Sequence, residues 1–369
     1  MNETTPDGTA SWELGQDSWQ RPDRIQQNQY VKGVNLSVRG GKITPRAAYV
    51  QIPLQFENKS LTNSRRESIK ISDIWKYGKY QAYIPTKTEQ GRFVITIVSG
   101  YIFRTDIATM STELVSDTIK CSANADRVNW TYADDSIVIF DYPSRPIIIN
   151  DDGIRESDPE KNEVPIAALG VFNQSRLIIA NAVNQFTAGD VVGNLNTPNA
   201  PLTFNEIFQP NSAFINQIFS VSSANPLTPI TAMGLLQSID SSTGIGPLFI
   251  ATENEVYYYA TNQPREQWEA TQFGSLLLSQ AGIAGPRAFI NVNSDLVFLS
   301  PEGKVHTFSS AQEAAKKWGN VPISREVQNY LKVTDSALTK YSVLAYHDNR
   351  IYISAYPYRT KAVMYIRLS

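Results

Sequence analysis

Seven short hairpin patterns, spread over most of the chain, constrain its fold more than any other feature of the sequence. In each, an apolar-rich run meets a short polar turn and returns as a second run of β-branched, aromatic or leucine residues. The two clearest lie within 248–309, with polar turns at 252–255 and 293–295. The turn centres lie near residues 100, 134, 174, 211, 253, 294 and 348, so most gaps are roughly 35 to 42 residues long.

This spacing is typical of the blades of a β-propeller. We therefore predict an all-β fold, a β-propeller of about six to seven blades that spans residues 31–369. A β-sandwich array is the alternative, whereas a parallel α/β fold is not expected because no helical segment separates successive runs. The last gap is longer, and Ser cap positions followed by good helix formers predict a short helical insertion near 310–332.

Two segments near the N-terminus do not follow the hairpin pattern. Residues 1–30 are rich in Gln, Asn, Asp and Thr, and such a segment cannot bury enough apolar surface to fold alone. We expect a disordered tail or an extended N-terminal arm that docks on a neighbouring subunit through Trp12 and Trp19. The polar insertion 56–90 is the most basic part of the chain. It predicts a solvated loop or short helix at a subunit contact that includes Arg65 and Arg66, with a phosphate-contacting patch as the alternative.

Composition excludes several classes of protein. With 42% hydrophobic and 18% charged residues the chain has a globular composition, and its net charge of −2 argues against non-specific binding to nucleic acid or to an acidic membrane. No apolar run is long enough to span a membrane, and the polar N-terminus lacks the basic and apolar regions of a signal peptide. The one cysteine, Cys121, rules out an internal disulfide.

Residues for catalysis are sparse. Two histidines and one cysteine do not assemble a zinc site, and no nucleophile elbow is present, so we predict no enzyme, no metal and no cofactor. The sequence does not exclude a glycosidase, because two of its 35 acidic residues could form a catalytic pair of carboxylates. Acidic residues cluster in two predicted loops, at 134–135 and 151–163. The second lacks the order of a calcium-binding loop and is interpreted as a solvated, flexible loop, with a bound cation as the alternative. The acidic residues singled out are Asp134, Asp135, Asp151, Asp152, Glu156 and Asp158.

Glycine and proline residues lie at two predicted turns between the apolar runs. Gly282, Gly285 and Pro286 predict a tight corner or a close approach of two backbones between successive hairpins. Pro301 and Gly303 predict a second tight turn. We interpret all five as structural corner residues.

The order of these elements resembles a known family. The Ile230-Thr231-Ala232 strand, the strands at 249–259, the corner at 282–287 and the turn at 298–303 resemble the central region of the tail nozzle proteins of short-tailed bacteriophages, also called tail tubular protein B or tail hub proteins. Residues 33–46 are similar to how these chains begin, and the predicted helix at 322–327 sits in the corresponding place. The resemblance covers more than half of the chain and consists of strands and turns rather than catalytic motifs.

The resemblance implies a structural virion protein of the phage tail, assembled in the host cytoplasm. Six copies would form a ring below the portal and the tail adaptor protein, extend the DNA channel, serve DNA retention and ejection, and contact tail fibre or tailspike proteins. DNA would pass without specific binding, and no membrane is involved. Under this interpretation the acidic residues above line the lumen or its mouth. The chain lacks the large inserted domains of many relatives, which puts fibre attachment through such insertions in doubt.

Two other functions stay open from the sequence. A propeller with exposed tyrosines could bind or cleave host surface glycan, and a host-side propeller scaffold for protein partners is the third possibility.

Overall fold

The structure is a computed structural model of the 369-residue chain. It describes residues 12, 14, 16–17, 20–26, 28–31, 33, 36–39, 42–45, 51–62, 67–88, 91–151, 153–180, 183–191, 207–208, 219–220, 228–236, 246–261, 268, 274–279, 281–309, 311, 322–324, 328–331, 335–347, 350–356 and 364–368. Strands dominate this part of the chain, so the all-β prediction is confirmed. No helix in these ranges is long and apolar enough to cross a membrane.

The N-terminal region contains small elements. A 3-10 helix covers Pro22–Arg24. Strands β1 (Leu36–Arg39) and β2 (Lys42–Pro45) pair as an antiparallel hairpin, and β4 (Ser60–Thr62) and β5 (Ser68–Lys70) form a second two-stranded pair.

A five-stranded sheet follows, and the segment 56–90 takes part in it. The strands are β3 (Gln55–Phe56), β6 (Tyr80–Thr88), β7 (Gly91–Val98), β8 (Tyr101–Asp106) and β9 (Ser111–Leu114). Their spatial order is β3-β9-β8-β7-β6, with β3 parallel to β9 and all other pairs antiparallel. Helix α1 (Ile71–Tyr77) packs on the sheet by burying Ile71 against Val98 and Phe103.

Among the described residues, five antiparallel sheets of three or four strands then succeed one another in a propeller-like arrangement, and we number them blades 1 to 5. In each blade the strands lie side by side in chain order. The strands are β10 (Asn129–Ala133), β11 (Ser136–Phe140), β12 (Ile147–Asn150) and β13 (Gly153–Glu156) in blade 1; β14 (Leu169–Asn173), β15 (Arg176–Ala180), β16 (Gln185–Val191) and β17 (Phe219–Ser220) in blade 2; β18 (Ala232–Leu235), β19 (Leu248–Ala251), β20 (Glu255–Tyr259) and β21 (Gly274–Ser279) in blade 3; β22 (Phe289–Val292), β23 (Asp295–Leu299) and β24 (Val305–Thr307) in blade 4; and β25 (Leu344–His347), β26 (Arg350–Ala355) and β27 (Met364–Leu368) in blade 5.

The second strands of blades 1, 3 and 4 are buried almost throughout. On β11, Ile137 and Ile139 pack against the five-stranded sheet, whereas Val138 and Phe140 pack against blade 2. Because side chains alternate between the two faces of a strand, a strand covered on both faces is apolar throughout. The same stacking joins blades 2 and 3, and a further core joins blades 3, 4 and 5 around the fully buried Phe298.

The last blade returns to the first through a set of polar contacts that we call the closure cluster. Tyr341, just before β25, donates a hydrogen bond to Asp126 at 2.6 Å, and Asp126 also forms an ion pair with Lys79. Arg127 donates to the hydroxyl of Tyr356, just after β26, at 2.8 Å. The cluster therefore joins segments that flank the five-stranded sheet, blade 1 and blade 5.

The prediction of six to seven blades is wrong, because the described residues form five. The hairpin near residue 100 belongs to the five-stranded sheet rather than to one of these blades. The turn near 211 lies outside the described residues, and the strands on either side of it, β16 and β17, pair within blade 2. That stretch is thus an insertion between two strands of one blade. Of the helical insertion at 310–332, Gln328–Leu331 is helical, and most of the remainder lies outside the described residues.

Candidate functional site

A cleft of about 470 Å³ opens between the five-stranded sheet and blade 1. Its floor is apolar and includes the buried side chains of Phe93, Ile95 and Ile137. Its rim is formed by the ends of strands and by the turns that connect them. The cleft is therefore a concave surface with a water-excluding base and a polar edge.

Three of the predicted acidic residues meet at one edge of this cleft. Asp134 and Asp135 form the turn between β10 and β11, and Asp151 lies in the turn between β12 and β13. Both turns lie at the same end of blade 1, because successive antiparallel strands reverse direction. Asp134 has a φ of 56°, a left-handed conformation that Asp tolerates in tight turns. Asp152 lies outside the described residues.

The opposite wall of the cleft is basic. Lys87, Arg92 and Arg104 contribute to the lining from β6, β7 and β8. Arg104 stacks over the ring of Phe93 at 4.3 Å and forms an ion pair with Glu113 at 3.2 Å. The cleft thus carries both signs of charge. This wall cannot be recognised from the sequence, because its residues are far from the acidic turns along the chain and show no motif of their own.

The other two predicted acidic residues are not part of the cleft lining. Glu156 ends β13 at the end of blade 1 opposite to Asp151. Asp158 caps a 3-10 helix by accepting a hydrogen bond from the backbone N–H of Glu160. The predicted acidic loop is therefore divided between two ends of one blade.

A second, smaller pocket of about 220 Å³ lies where the first strands of blades 1 to 4 converge, and we call it the central pocket. It is lined by residues of β10, β14, β18 and β22 and by Pro286 and Arg287. The guanidinium of Arg287 stacks over the ring of Trp130 at 3.9 Å and donates a hydrogen bond to the Trp130 carbonyl at 2.6 Å. Burial lowers the pKa of Arg287 to about 10.

Tyr132 lines both the cleft and the central pocket. Its hydroxyl donates to the backbone carbonyl of Pro85 on β6, and its ring meets that of Trp130 edge to face at 5.0 Å. Burial raises the pKa of the Tyr132 hydroxyl. This side chain therefore separates the two cavities and ties the five-stranded sheet to blade 1.

The predicted corner residues lie at close approaches of the backbone. A Cβ on Gly282 would lie 2.1 Å from the carbonyl oxygen of Thr252, and one on Gly285 would lie 2.1 Å from that of Lys340. The first approach is between the corner that follows blade 3 and the turn that connects β19 to β20, and the second links the start of blade 4 to the segment before β25. In the second predicted turn, which begins at Pro301, Gly303 has a φ of 73° and its N–H donates to the carbonyl of Ser300.

The predicted subunit-contact residues are mostly outside the described part of the chain, which excludes Trp19, Arg65 and Arg66. Trp12 is described, and its ring meets that of Tyr30 edge to face at 6.2 Å. It therefore contacts its own chain, and its contact with a neighbouring subunit stays a prediction.

Metal-ligating groups do not cluster in the described ranges: no set of three or more His, Cys, Asp or Glu residues there could hold an ion. His306 is buried in blade 4 and stacks on Phe298 at 5.5 Å, and Cys121 is a buried free thiol.

Comparison with known proteins places the chain in no family. No protein-family model and no curated protein matches it. Solved structures that match include the extracellular domain of a hybrid two-component system protein from B. thetaiotaomicron, at 9% identity over 62% of this chain and 26% of that one, with a TM-score of 0.36. PorZ, a surface component of the type-IX secretion system of Porphyromonas gingivalis, matches at 13% identity over 79% and 33% of the chains, with a TM-score of 0.41.

The computationally designed protein Ika8 also matches, at 9% identity over 79% of this chain and 88% of that one, with a TM-score of 0.37. The chain spans only 26% and 33% of the two natural proteins. Similarities of this size assign neither a family nor an activity.

Proposed function

We propose that this chain is a structural subunit of a bacteriophage tail nozzle, a ring of six copies that extends the DNA channel below the portal and the adaptor protein. One observation carries the proposal. The segment 230–303, on which the resemblance to that family depends, forms two neighbouring blades, β18–β21 and β22–β24, joined at the glycine corner 282–287. The order of strands and corners that is similar to the family thus corresponds to one continuous part of the fold.

The charge of the chain supports the same role. A conduit must let DNA pass without holding it, and binding to DNA strengthens with each phosphate that a Lys or Arg neutralises. The net charge is −2, and Asp134, Asp135 and Asp151 project from turns at one end of blade 1. We propose that these turns face the passing DNA and repel it. The arm that includes Trp12 and Trp19, and the loop that includes Arg65 and Arg66, would supply contacts between subunits.

Electron microscopy of assembled particles tests the location. Labelled protein is expected in a ring on the tail axis, between the adaptor and the tail tip. Label on peripheral fibres, or none on the particle, would refute the proposal.

A binding experiment tests the conduit. Wild-type protein is expected not to retain double-stranded DNA in a mobility-shift assay at low salt. The double variant Asp134→Arg/Asp135→Arg is expected to bind it, with an affinity that falls steeply as salt rises. Glu156→Arg, at the other end of blade 1, is the matched control and should bind more weakly. Equal DNA binding by the wild type and the double variant would contradict the repulsive role of these turns.

Glycan binding is the second candidate, and the cleft between the five-stranded sheet and blade 1 favours it. Its volume of about 470 Å³ lies within the usual range for ligand sites, about 300–1,000 Å³. The exposed ring of Tyr132 offers aromatic surface beside the carboxylates of Asp134 and Asp135, and glycosidases act through pairs of carboxylates.

Host polysaccharide, incubated with purified protein, tests this candidate. Binding or depolymerisation that is lost in Asp135→Asn but kept in Glu156→Gln would support it. If the wild-type protein neither binds nor cleaves the polysaccharide, glycan binding is excluded.

A further inference from the structure

The central pocket holds an arginine whose charge the described residues do not neutralise. The contacts of the Arg287 guanidinium are the ring of Trp130 and the Trp130 carbonyl, and no described carboxylate forms an ion pair with it. Two other partly buried arginines differ in this respect: Arg155 pairs with Glu163, and Arg176 with Asp190. A partly buried cation without a counter-ion is costly, because removal from water penalises the charged form.

The geometry of Arg287 leaves most of its donors available. Guanidinium carries five N–H donors in a planar fork, and only one hydrogen bond to a described residue is present. Stacking on Trp130 holds the plane of the fork in place, so a bidentate contact would lose little side-chain entropy. The fork matches the two oxygens of a carboxylate or phosphate.

The walls of the pocket add further polar groups. Strands β10, β14 and β18 are each the first strand of their sheet, so one edge of each has no partner strand within that sheet. Backbone N–H groups on such an edge can donate to an anion. Met233 and Phe289 provide apolar surface, which weakens competition by water.

The size of the pocket limits the ligand. At about 220 Å³ it is smaller than the usual range for drug-sized ligands, about 300–1,000 Å³. A small ion fits this space better than an oligosaccharide or a nucleotide does.

We propose that the central pocket binds a small oxyanion, a phosphate or a short-chain carboxylate, through the guanidinium of Arg287. This site is separate from the acidic turns of the proposed conduit. Anion binding in the central pocket and the conduit role are therefore tested independently of each other. The anion would connect blade 1 to the start of blade 4 at the centre of the fold, where Arg287 already reaches Trp130 across 157 positions of sequence.

Isothermal titration calorimetry of the full chain tests the proposal. Inorganic phosphate and malonate are titrated separately, with ionic strength held constant by sodium chloride. We expect one site per chain for at least one of them, and the more tightly bound probe identifies the class of ligand. Because hydrogen bonds to charged groups are strong, Arg287→Gln is expected to weaken binding about 10- to 100-fold.

Two further variants keep the result interpretable. Arg176→Gln is the matched control, since Arg176 also contacts a backbone carbonyl but is paired with Asp190, and it should leave binding unchanged. If Arg287→Gln does not fold, as judged by circular dichroism, Arg287→Lys keeps the charge but loses the fork, and it should bind more weakly than the wild type. No binding of either probe to the wild type, or equal binding by a folded Arg287 variant, would show that Arg287 only holds the blades together.

Discussion

The closure cluster offers the sharpest test of how the fold is held together. The change is Asp126→Asn, which removes the charge that Lys79 and Tyr341 share while keeping the shape of the side chain. The side chains of Lys79 and Asp126 are 45% and 59% exposed, and ion pairs this open to solvent contribute about 0.2–1 kcal/mol. Replacing a charged acceptor by a neutral one weakens the hydrogen bond from Tyr341 by about 1 kcal/mol. After allowance for solvent screening, we expect a loss of about 1–2 kcal/mol in the free energy of unfolding.

The pH dependence of stability distinguishes the effect of the Asp126 charge from that of the shape of its side chain. Lys79 first, and then Tyr341, hold the pKa of Asp126 below its ordinary value. The stabilisation by Asp126 is therefore complete above the unfolded-state pKa of about 3.9, and it is lost as the pH falls through the lower folded-state value. The difference in the free energy of unfolding between the wild type and Asp126→Asn should accordingly be largest near neutral pH and disappear in acid.

Urea unfolding monitored by tryptophan fluorescence measures both effects. The control is Glu302→Gln, which removes an exposed ion pair to Lys304 within a single turn and should change stability by less than about 0.5 kcal/mol. If Asp126→Asn lowers the free energy of unfolding by no more than Glu302→Gln does, the closure cluster does not hold the last blade to the first. If the difference persists unchanged in acid, the charge of Asp126 is not its cause.

The packing of the sheets can be tested at three further positions. Gly285→Ala places a Cβ 2.1 Å from the carbonyl oxygen of Lys340, and because backbone must move to admit it we expect a loss of about 2–3 kcal/mol in urea unfolding; unchanged stability would contradict the close approach. Phe298→Ala empties a fully buried position between blades and should cost about 3–5 kcal/mol in the same assay, whereas a loss below 1 kcal/mol would place the ring outside the core. Cys121 is buried, and burial raises the pKa of its thiol. It should not react with Ellman's reagent in the native protein and should give one equivalent after unfolding; rapid reaction of the native protein would refute its burial.

Local patterns in the sequence predict much of the strand structure. The turns at 99–100, 134–135, 253–254 and 293–294 all connect paired antiparallel strands in the structure. Such turns depend on a few adjacent residues, as in Ser99 and Asn293, whose φ values are 48° and 49°. The alternation of apolar and polar residues likewise acts between near neighbours, and it needs no knowledge of the fold.

The number of blades did not follow from the same patterns. A hairpin is recognised by its own residues, but its sheet is decided by the strands that pair with it. The hairpin near 100 lies in the five-stranded sheet because β3 pairs with β9 and β6 pairs with β7. The spacing of the turns alone could not distinguish this sheet from a blade.

Local chemistry therefore determines where the strands and turns of this protein lie, whereas contacts between distant segments decide what they build. Asp126 meets Tyr341 across 215 positions of sequence, and Arg287 meets Trp130 across 157. The hairpin patterns do not show either pair, because each hairpin is specified by its own short segment. Only the stacking of the sheets brings these side chains together, and it creates both the closure of the blades and the central pocket.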